Sequence, residues 1–363
     1  MRILHAADLH LDSAFASLSA DQARQRRRES RDIFNTLADL ARQEKVDLVL
    51  LAGDLFDGER VYPETIEQLK TALEKMDCPV FISPGNHDPY TARSPYAKED
   101  WPENVNIFRT EELTSVALPQ LGCVVHGAAF TQQHRETEAL NGFSVPEDDN
   151  LHLLCLHGAV NETGSEYGNI SRAQIAQSGF TYLALGHIHQ YSGAQKEGKS
   201  VWVYPGCPEG RGFDETGDKG AVLVDINGGS VEVRFVPLCR RRYRVITADV
   251  TDTTPVDALE RVMPETAADD ICRVIFTGEL GGQGIDLRAM EEDLAHRFYA
   301  LELRDETRIA QDIWDGAGED SLRGMFLGEL RARYDAAENE EEKNMIISAV
   351  RFGLAALDGR DIG

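Results

Sequence analysis

Over the first 237 residues, short apolar runs recur with turn residues between them, at 2–5, 47–52, 79–83, 122–126, 151–157, 182–185, 201–204, 221–226 and 231–236. Runs of this length bounded by Gly, Pro, Asn or Asp predict strands. Between the first two, Ser19 and Gln22 have the spacing of a capping box, and Phe34, Leu37, Ala38 and Ala41 fall on one face of the helix they open. Pro63 starts a second helix, with Ile66, Leu69, Leu73 and Met76 at helical spacing. A β-α-β-α-β start followed by a run of strands predicts two sheets packed face to face, with helices outside.

The rhythm changes after Pro237, where three arginines, Arg240 to Arg242, lead into strands near 243–250, 271–277 and 301–305 that alternate with helices near 256–262 and 287–298. That order predicts a small β-α-β-α-β domain. Beyond Gly318 the pattern is helical to the end, in two amphipathic pieces around 322–334 and 341–357 with an acidic stretch between them. The expected division is therefore 1–237, 238–317 and 318–363. No internal repeat or low-complexity linker is present.

At 363 residues with 42% hydrophobic content, the chain is long enough for a sizeable core and a smaller appendage. It has no run of about eighteen apolar residues, and its N-terminus turns polar at Asp8, too early for a signal peptide; a cytoplasmic protein with no membrane partner is expected. Six scattered cysteines lack a C-x-x-C pair and read as buried thiols. The formal net charge of −25 argues against a broad nucleic-acid surface, whose affinity comes from basic residues, but it leaves room for a local metal site that binds phosphate.

Five polar clusters stand at or just after the C-terminal ends of predicted strands, where open α/β sheets place ligands. They are Asp8-Leu9-His10, Gly53-Asp54-Leu55-Phe56-Asp57, Gly85-Asn86-His87-Asp88, His157-Gly158 and Gly186-His187-Ile188-His189. The i, i+2 spacing of Asp8 with His10, and of His187 with His189, puts both members of each pair on one side of an extended backbone. Carboxylate, amide and imidazole donors without thiolate suit manganese, iron or zinc in a catalytic site. A carboxylate such as Asp54 can bridge two ions. Each cluster taken singly also fits an ordinary turn or cap, and His5, His126, His134, His152 and His296 read as plain surface or core residues.

In that order, D-x-H, G-D-x-x-D, G-N-H-D, H-G and G-H-x-H resemble the signature of calcineurin-like metallophosphoesterases over residues 1–237. The resemblance implies a sandwich of two mixed β-sheets flanked by helices, followed by a small α+β capping domain and a helical C-terminal tail. It implies one divalent ion on Asp8, His10, Asp54 and His189 and a second on Asp54, Asn86, His157 and His187, manganese first, with iron or zinc as alternatives. It also makes His87 the acid at the leaving oxygen, oriented by Asp88. The Gly53 to Asp57 segment, and Tyr204 to Arg211 with Lys219-Gly220, resemble SbcD-type DNA repair nuclease subunits, most closely a YhaO-like bacterial subgroup. That likeness implies DNA as substrate, exonuclease and endonuclease activity, and a coiled-coil ATPase of SbcC type docked on the terminal helices. A second copy of the chain is a further candidate partner. Archaeal members carry a second catalytic histidine where this chain has Asp57, which leaves leaving-group assistance mainly to His87.

Arg211, in a Gly-rich loop after the ligand strands, is the candidate phosphate contact. Arg24, Arg27, Arg28 and Arg31, and Arg240, Arg241, Arg242 and Arg244, are either phosphate contacts or ion-paired faces. Two rivals accompany the nuclease reading: hydrolysis of nucleotides or other small phosphoesters at the same site, and a non-catalytic scaffold for an ATPase.

Overall fold

The structure is a computed structural model and describes residues 1–161, 164–264, 267–280, 284–309, 311–314 and 316–357. The chain divides into two compact units, Met1–Arg242 and Tyr243–Gly363. The 238–317 and 318–363 parts of the expected division thus fall almost entirely within the second unit. Residues 358–363 of the expected helical tail lie outside the described residues.

In chain order the first unit comprises β1 (Arg2–Ala6), α1 (Ala20–Gln43), β2 (Leu48–Leu51), α2 (Pro63–Lys75), β3 (Val80–Ile82), α3 (Pro95–Lys98), β4 (Val105–Ile107), β5 (Thr114–Leu118), β6 (Cys123–Gly127), β7 (Leu151–His157), α4 (Arg172–Ser178), β8 (Tyr182–Gly186), β9 (Gln195–Glu197), β10 (Ser200–Val203), β11 (Gly220–Asn227) and β12 (Ser230–Pro237). Two six-stranded sheets form, ordered β12-β11-β1-β2-β3-β4 and β5-β6-β7-β8-β10-β9. Both are mixed. β1 to β4 run parallel, with β11 antiparallel to β1 and β12 antiparallel to β11; β6, β7, β8 and β10 run parallel while β5 and β9 are antiparallel.

Alternation along the strands builds the layers. Leu48 and Leu50 of β2 turn toward the second sheet and share a core with Phe81, Val125, Leu153, Val222 and Val224. Their neighbours Val49 and Leu51 face outward, onto Phe34 and Leu37 of α1 and Leu69 and Leu73 of α2. On the far side, Leu154, Leu156, Leu183 and Leu185 pack with Ile175 of α4. The fold is therefore the expected two-sheet sandwich with helices outside. The predicted capping box is present at Ser19, with both reciprocal bonds to Gln22. β4, β5 and β9 went unpredicted; they are short edge strands with few or no fully buried residues and so carry no apolar run.

In the second unit, β13 (Tyr243–Asp249), α5 (Pro255–Val262), β14 (Ile271–Thr277), β15 (Glu279–Leu280), α6 (Leu287–Leu294), β16 (Ala300–Asp305) and β17 (Arg308–Ile309) precede α7 (Leu322–Ala336) and α8 (Glu340–Leu357). β13, β14 and β16 form one parallel sheet around Val274, Phe276, Leu259 and Phe298. α7 and α8 have their own small core of Leu327, Val350 and Leu354 with Ile313. Among the described residues, no helix is long and apolar enough to cross a membrane.

Candidate metal centre

Because β1, β2, β3, β7 and β8 point the same way within their sheets, their C-terminal ends bring all five polar clusters to one place. Asp8 N donates to Gly53 O at 3.0 Å and His10 N to Asp54 O at 2.9 Å, which ties the turn after β1 to the turn after β2. The backbone is strained there. Asp8 (φ 56°), His10 (42°), Asp54 (51°) and His187 (110°) all lie at positive φ, which L side chains avoid and which clusters at functional sites. Gly53 and Gly85 permit the close approach, since a Cβ on Gly53 would overlap His157 and one on Gly85 would overlap Asp54.

Three groups of candidate ligand atoms lie within 4.8 Å of one another: Asp8, His10 and His189; Asp8, Asp54 and His157; and His10, Asp54 and His87. Asp54 Oδ2 is the centrepiece, 3.6 Å from His10 Nε2 and 3.4 Å from His157 Nε2. Its other oxygen accepts His87 N at 2.9 Å. Asn86 Oδ1 is 3.0 Å from His157 Nε2. The His187 ring packs 5.3 Å from that of His157, and its backbone N–H donates to Asp8.

The donor set fits divalent cations. His10 Nδ1 faces Asp57 at 3.3 Å and His189 Nδ1 faces Glu215 at 2.6 Å, so both imidazoles carry their protons on the outside. Their unprotonated Nε2 atoms then face each other at 3.2 Å. His157 likewise donates Nδ1–H to Ala52 O at 2.9 Å and turns its Nε2 toward Asn86 Oδ1 and Asp54 Oδ2. Acceptors meeting acceptors in a buried site call for positive charge between them. Burial pulls His157 down, but the Asp54 charge and hydrogen bond prevail and raise it to about 9, so Asp54 favours positive charge at His157 Nε2, as a proton or as a cation. Burial pushes Asp8 up to about 6, against the pull of His157 and His189. Burial brings His10 down to about 4 and His187 to about 3, leaving neutral imidazoles free to act as ligands near pH 7.

One expectation is corrected. Asp88 does not touch the His87 ring: its carboxylate accepts Gly85 N (2.7 Å), Leu55 N (2.7 Å), Phe56 N (3.1 Å) and Tyr96 OH (2.6 Å). It ties down the backbone of the turn that carries Asn86 and His87. The carboxylate on the His87 ring is Asp57, 3.2 Å from Nδ1, which also faces His10 Nδ1 and accepts from Ser13 Oγ at 2.7 Å. These hydrogen bonds outweigh burial and hold Asp57 well below the usual carboxylate range.

Arg211 lies at the same end of the sheets, its Nη2 on Glu215 at 2.9 Å and its Nη1 more loosely near Ser13 Oγ at 3.5 Å and Asp57 at 3.9 Å. Glu215 was missed from sequence. Its only signal was an acidic residue inside the Gly-rich segment four positions after Arg211. Most of the other arginines prove ion-paired: Arg24 with Asp21, Arg31 with Asp12 and Glu64, Arg241 with Glu29, Arg242 with Asp218 and Arg244 with Asp270. Arg26, a fully buried member of the same helix, bridges Glu29 and Glu209. His5 bonds Tyr182 OH, and His126 and His152 form a buried chain from Ser115 to Asp148, away from the centre.

A family model described as calcineurin-like phosphoesterase matches residues 1–191. The chain is 31% identical over 291 residues to the uncharacterized metallophosphoesterase YhaO of Bacillus subtilis, covering 73% of this chain and 67% of that one. It is 26% identical over 264 residues to the DNA double-strand break repair protein Mre11 of Methanopyrus kandleri, covering 65% of this chain and 56% of the relative. With the Mre11 of Saccharolobus solfataricus it shares 23% identity over 389 residues, covering 97% and 94%. With its ligand clusters gathered at one end of a two-sheet sandwich, the chain belongs to the calcineurin-like phosphoesterase family and is a metal-dependent phosphoesterase.

Proposed function

We propose that this phosphoesterase is a DNA repair nuclease subunit that hydrolyses phosphodiesters with two divalent ions, manganese first, as a cytoplasmic protein beside an SbcC-like coiled-coil ATPase. In this reading Asp8, His10, Asp54 and His189 hold one ion, and Asp54, Asn86, His157 and His187 the other. The observation that carries the two-ion reading is the position of Asp54 Oδ2 between the Nε2 atoms of His10 and His157. When bound, such ions lower the pKa of a water and neutralise charge that builds up on a transferring phosphoryl group.

The protein supplies the rest. His87 is 48% exposed, and its ring lies 4.7 Å from that of His10, so its Nε2 is placed to give a proton to a departing sugar oxygen. Asp57 fixes that ring through Nδ1 and holds His10 with its other contacts, so one carboxylate sets both the acid and a ligand. Asp88 holds the turn beneath them. Arg211, with Nη1 loosely engaged, is the cation for a non-bridging phosphate oxygen.

Support for DNA over other phosphoesters comes from the Mre11 relatives, which are named as DNA double-strand break repair proteins. The acidic net charge favours the second reading, hydrolysis of nucleotides or other small phosphoesters at the same centre. Metal-loaded protein should be offered end-labelled duplex DNA, a cyclic dinucleotide and p-nitrophenyl phosphate esters. Release of labelled nucleotides is expected. Turnover of the small esters with intact DNA would transfer the assignment to the second reading, and inertness toward all three would leave a scaffold.

A further inference from the structure

Building on the two-ion reading, we propose that Glu215 is a positioning residue that fixes His189 and Arg211 in one geometry from outside the ligand set. Its side chain is 4% exposed. Oε1 accepts from His189 Nδ1 at 2.6 Å and from Arg211 Nη2 at 2.9 Å, while Oε2 accepts from the Arg211 backbone N at 2.7 Å.

Two consequences follow from the geometry. Because Nδ1 of His189 donates to Glu215, Nε2 presents its lone pair toward Asp8 Oδ1, 4.0 Å away. Because the Arg211 guanidinium is held on the same oxygen, its Nη1 points toward Ser13 and Asp57 on the His87 side of the centre. A neutral amide of the same shape cannot keep all three contacts: with its oxygen on His189 and the guanidinium, its NH2 meets the Arg211 backbone N–H, and turned over, its NH2 meets His189 Nδ1–H.

The segment itself has other anchors. Glu215 N donates to Gly212 O at 3.1 Å, and Lys219 Nζ holds the His189 carbonyl at 2.8 Å. The lysine secures the main chain of His189 and the glutamate its ring, so loss of the glutamate charge leaves the fold in place and frees the ring.

The test is calorimetric titration of metal-free protein with Mn2+, for wild type, Glu215→Gln, Arg211→Ala and Asp54→Asn, together with the imidazole N–H region of the proton NMR spectrum. Wild type should take up two ions. E215Q should weaken one of them by about 10- to 100-fold, the usual worth of a ligand's outer partner, and leave the other within about threefold. R211A should leave both within about threefold, and D54N should weaken both. The hydrogen-bonded His189 Nδ1–H resonance, assigned by its loss in His189→Gln, should vanish in E215Q while the thermal melt stays cooperative. Should E215Q fail to fold, Glu215→Asp, which keeps the charge but withdraws it by one methylene, provides the same readings. Wild-type affinity for both ions in E215Q, or equal loss at both, overturns the assignment. If wild type itself binds a single ion, the two-ion reading fails, and the His189 resonance still decides for or against Glu215.

Discussion

At the scale of single residues, Asp57 makes His87 a stronger proton holder than a free histidine. The hydrogen bond to Asp57 is the largest cause, the Asp54 charge adds to it, and burial and Arg211 oppose it, leaving the imidazole raised above its ordinary value. A group raised in this way stabilises the fold fully below the ordinary histidine value and loses that contribution as pH rises through the folded value. As an acid it likewise stays protonated further into the alkaline range. Asp57→Asn should therefore move the alkaline limb of hydrolysis to lower pH on an ester with a poor alkoxide leaving group, read from kcat against pH. His87→Ala should remove the limb and cost roughly 10²–10⁴ in rate on that ester but less on a p-nitrophenyl ester, whose leaving group needs little protonation. An unmoved limb in the Asp57 variant would dissociate the pair. The polar clusters that the fold gathers into candidate ligand groups were legible in the sequence because each follows a strand end at short spacing. The partner of His87 was not. Adjacency along the chain pointed to Asp88, whereas the fold brings up Asp57 from the turn after β2, thirty positions away.

At the scale of elements, α7 and α8 show what an amphipathic pattern does and does not reveal. The apolar stripes at Met325, Phe326, Leu330 and Tyr334 and at Ile346, Ile347, Val350, Leu354 and Leu357 marked two helices, and both formed. Periodicity does not say which stripe residue packs inward. Leu327, outside the expected stripe, is fully buried, and Phe326 packs so closely on Gly353 that a Cβ there would overlap its ring. Met325 (62% exposed), Met345 (68%) and Phe352 (58%) remain outside. If the helices dock on a coiled-coil ATPase, these three are the anchors. Leu327→Ala should cost about 2–5 kcal/mol in urea denaturation, whereas Met325→Ala and Phe352→Ala should stay within about 0.5 kcal/mol and weaken pull-down of the cognate ATPase. Pull-down unchanged in the Met325, Phe352 double variant would remove these helices from the partnership. Short edge strands such as β5, with exposed residues at most positions, escape any reading based on apolar runs for the same reason that they are tolerated: they bury little.

At the scale of the whole molecule, the acidic excess is unevenly distributed. Met1–Arg242 carries 24 Lys and Arg against 35 Asp and Glu, while Tyr243–Gly363, half as long, carries 13 against 27. The first unit is thus somewhat closer to neutral per residue than the net charge suggests. If the chain binds duplex DNA as proposed, its exposed arginines close in sequence to the candidate ligands, Arg60 after the Asp57 turn and Arg93 after the His87 turn, would supply only a few phosphate contacts. Duplex binding should accordingly fall with salt at a shallow slope of about −2 to −4 in log–log form, near 0.9 per contact, while p-nitrophenyl ester turnover stays flat. A duplex affinity indifferent to salt would contradict direct phosphate contact. The four non-glycine residues held at positive φ around the centre have a different kind of consequence. Each such conformation costs on the order of 1–3 kcal/mol, and glycine would relieve it at every one while removing a candidate ligand side chain. Selection for robustness and selection for turnover therefore pull these positions in opposite directions, and a lineage released from catalysis would be expected to drift toward glycine there first.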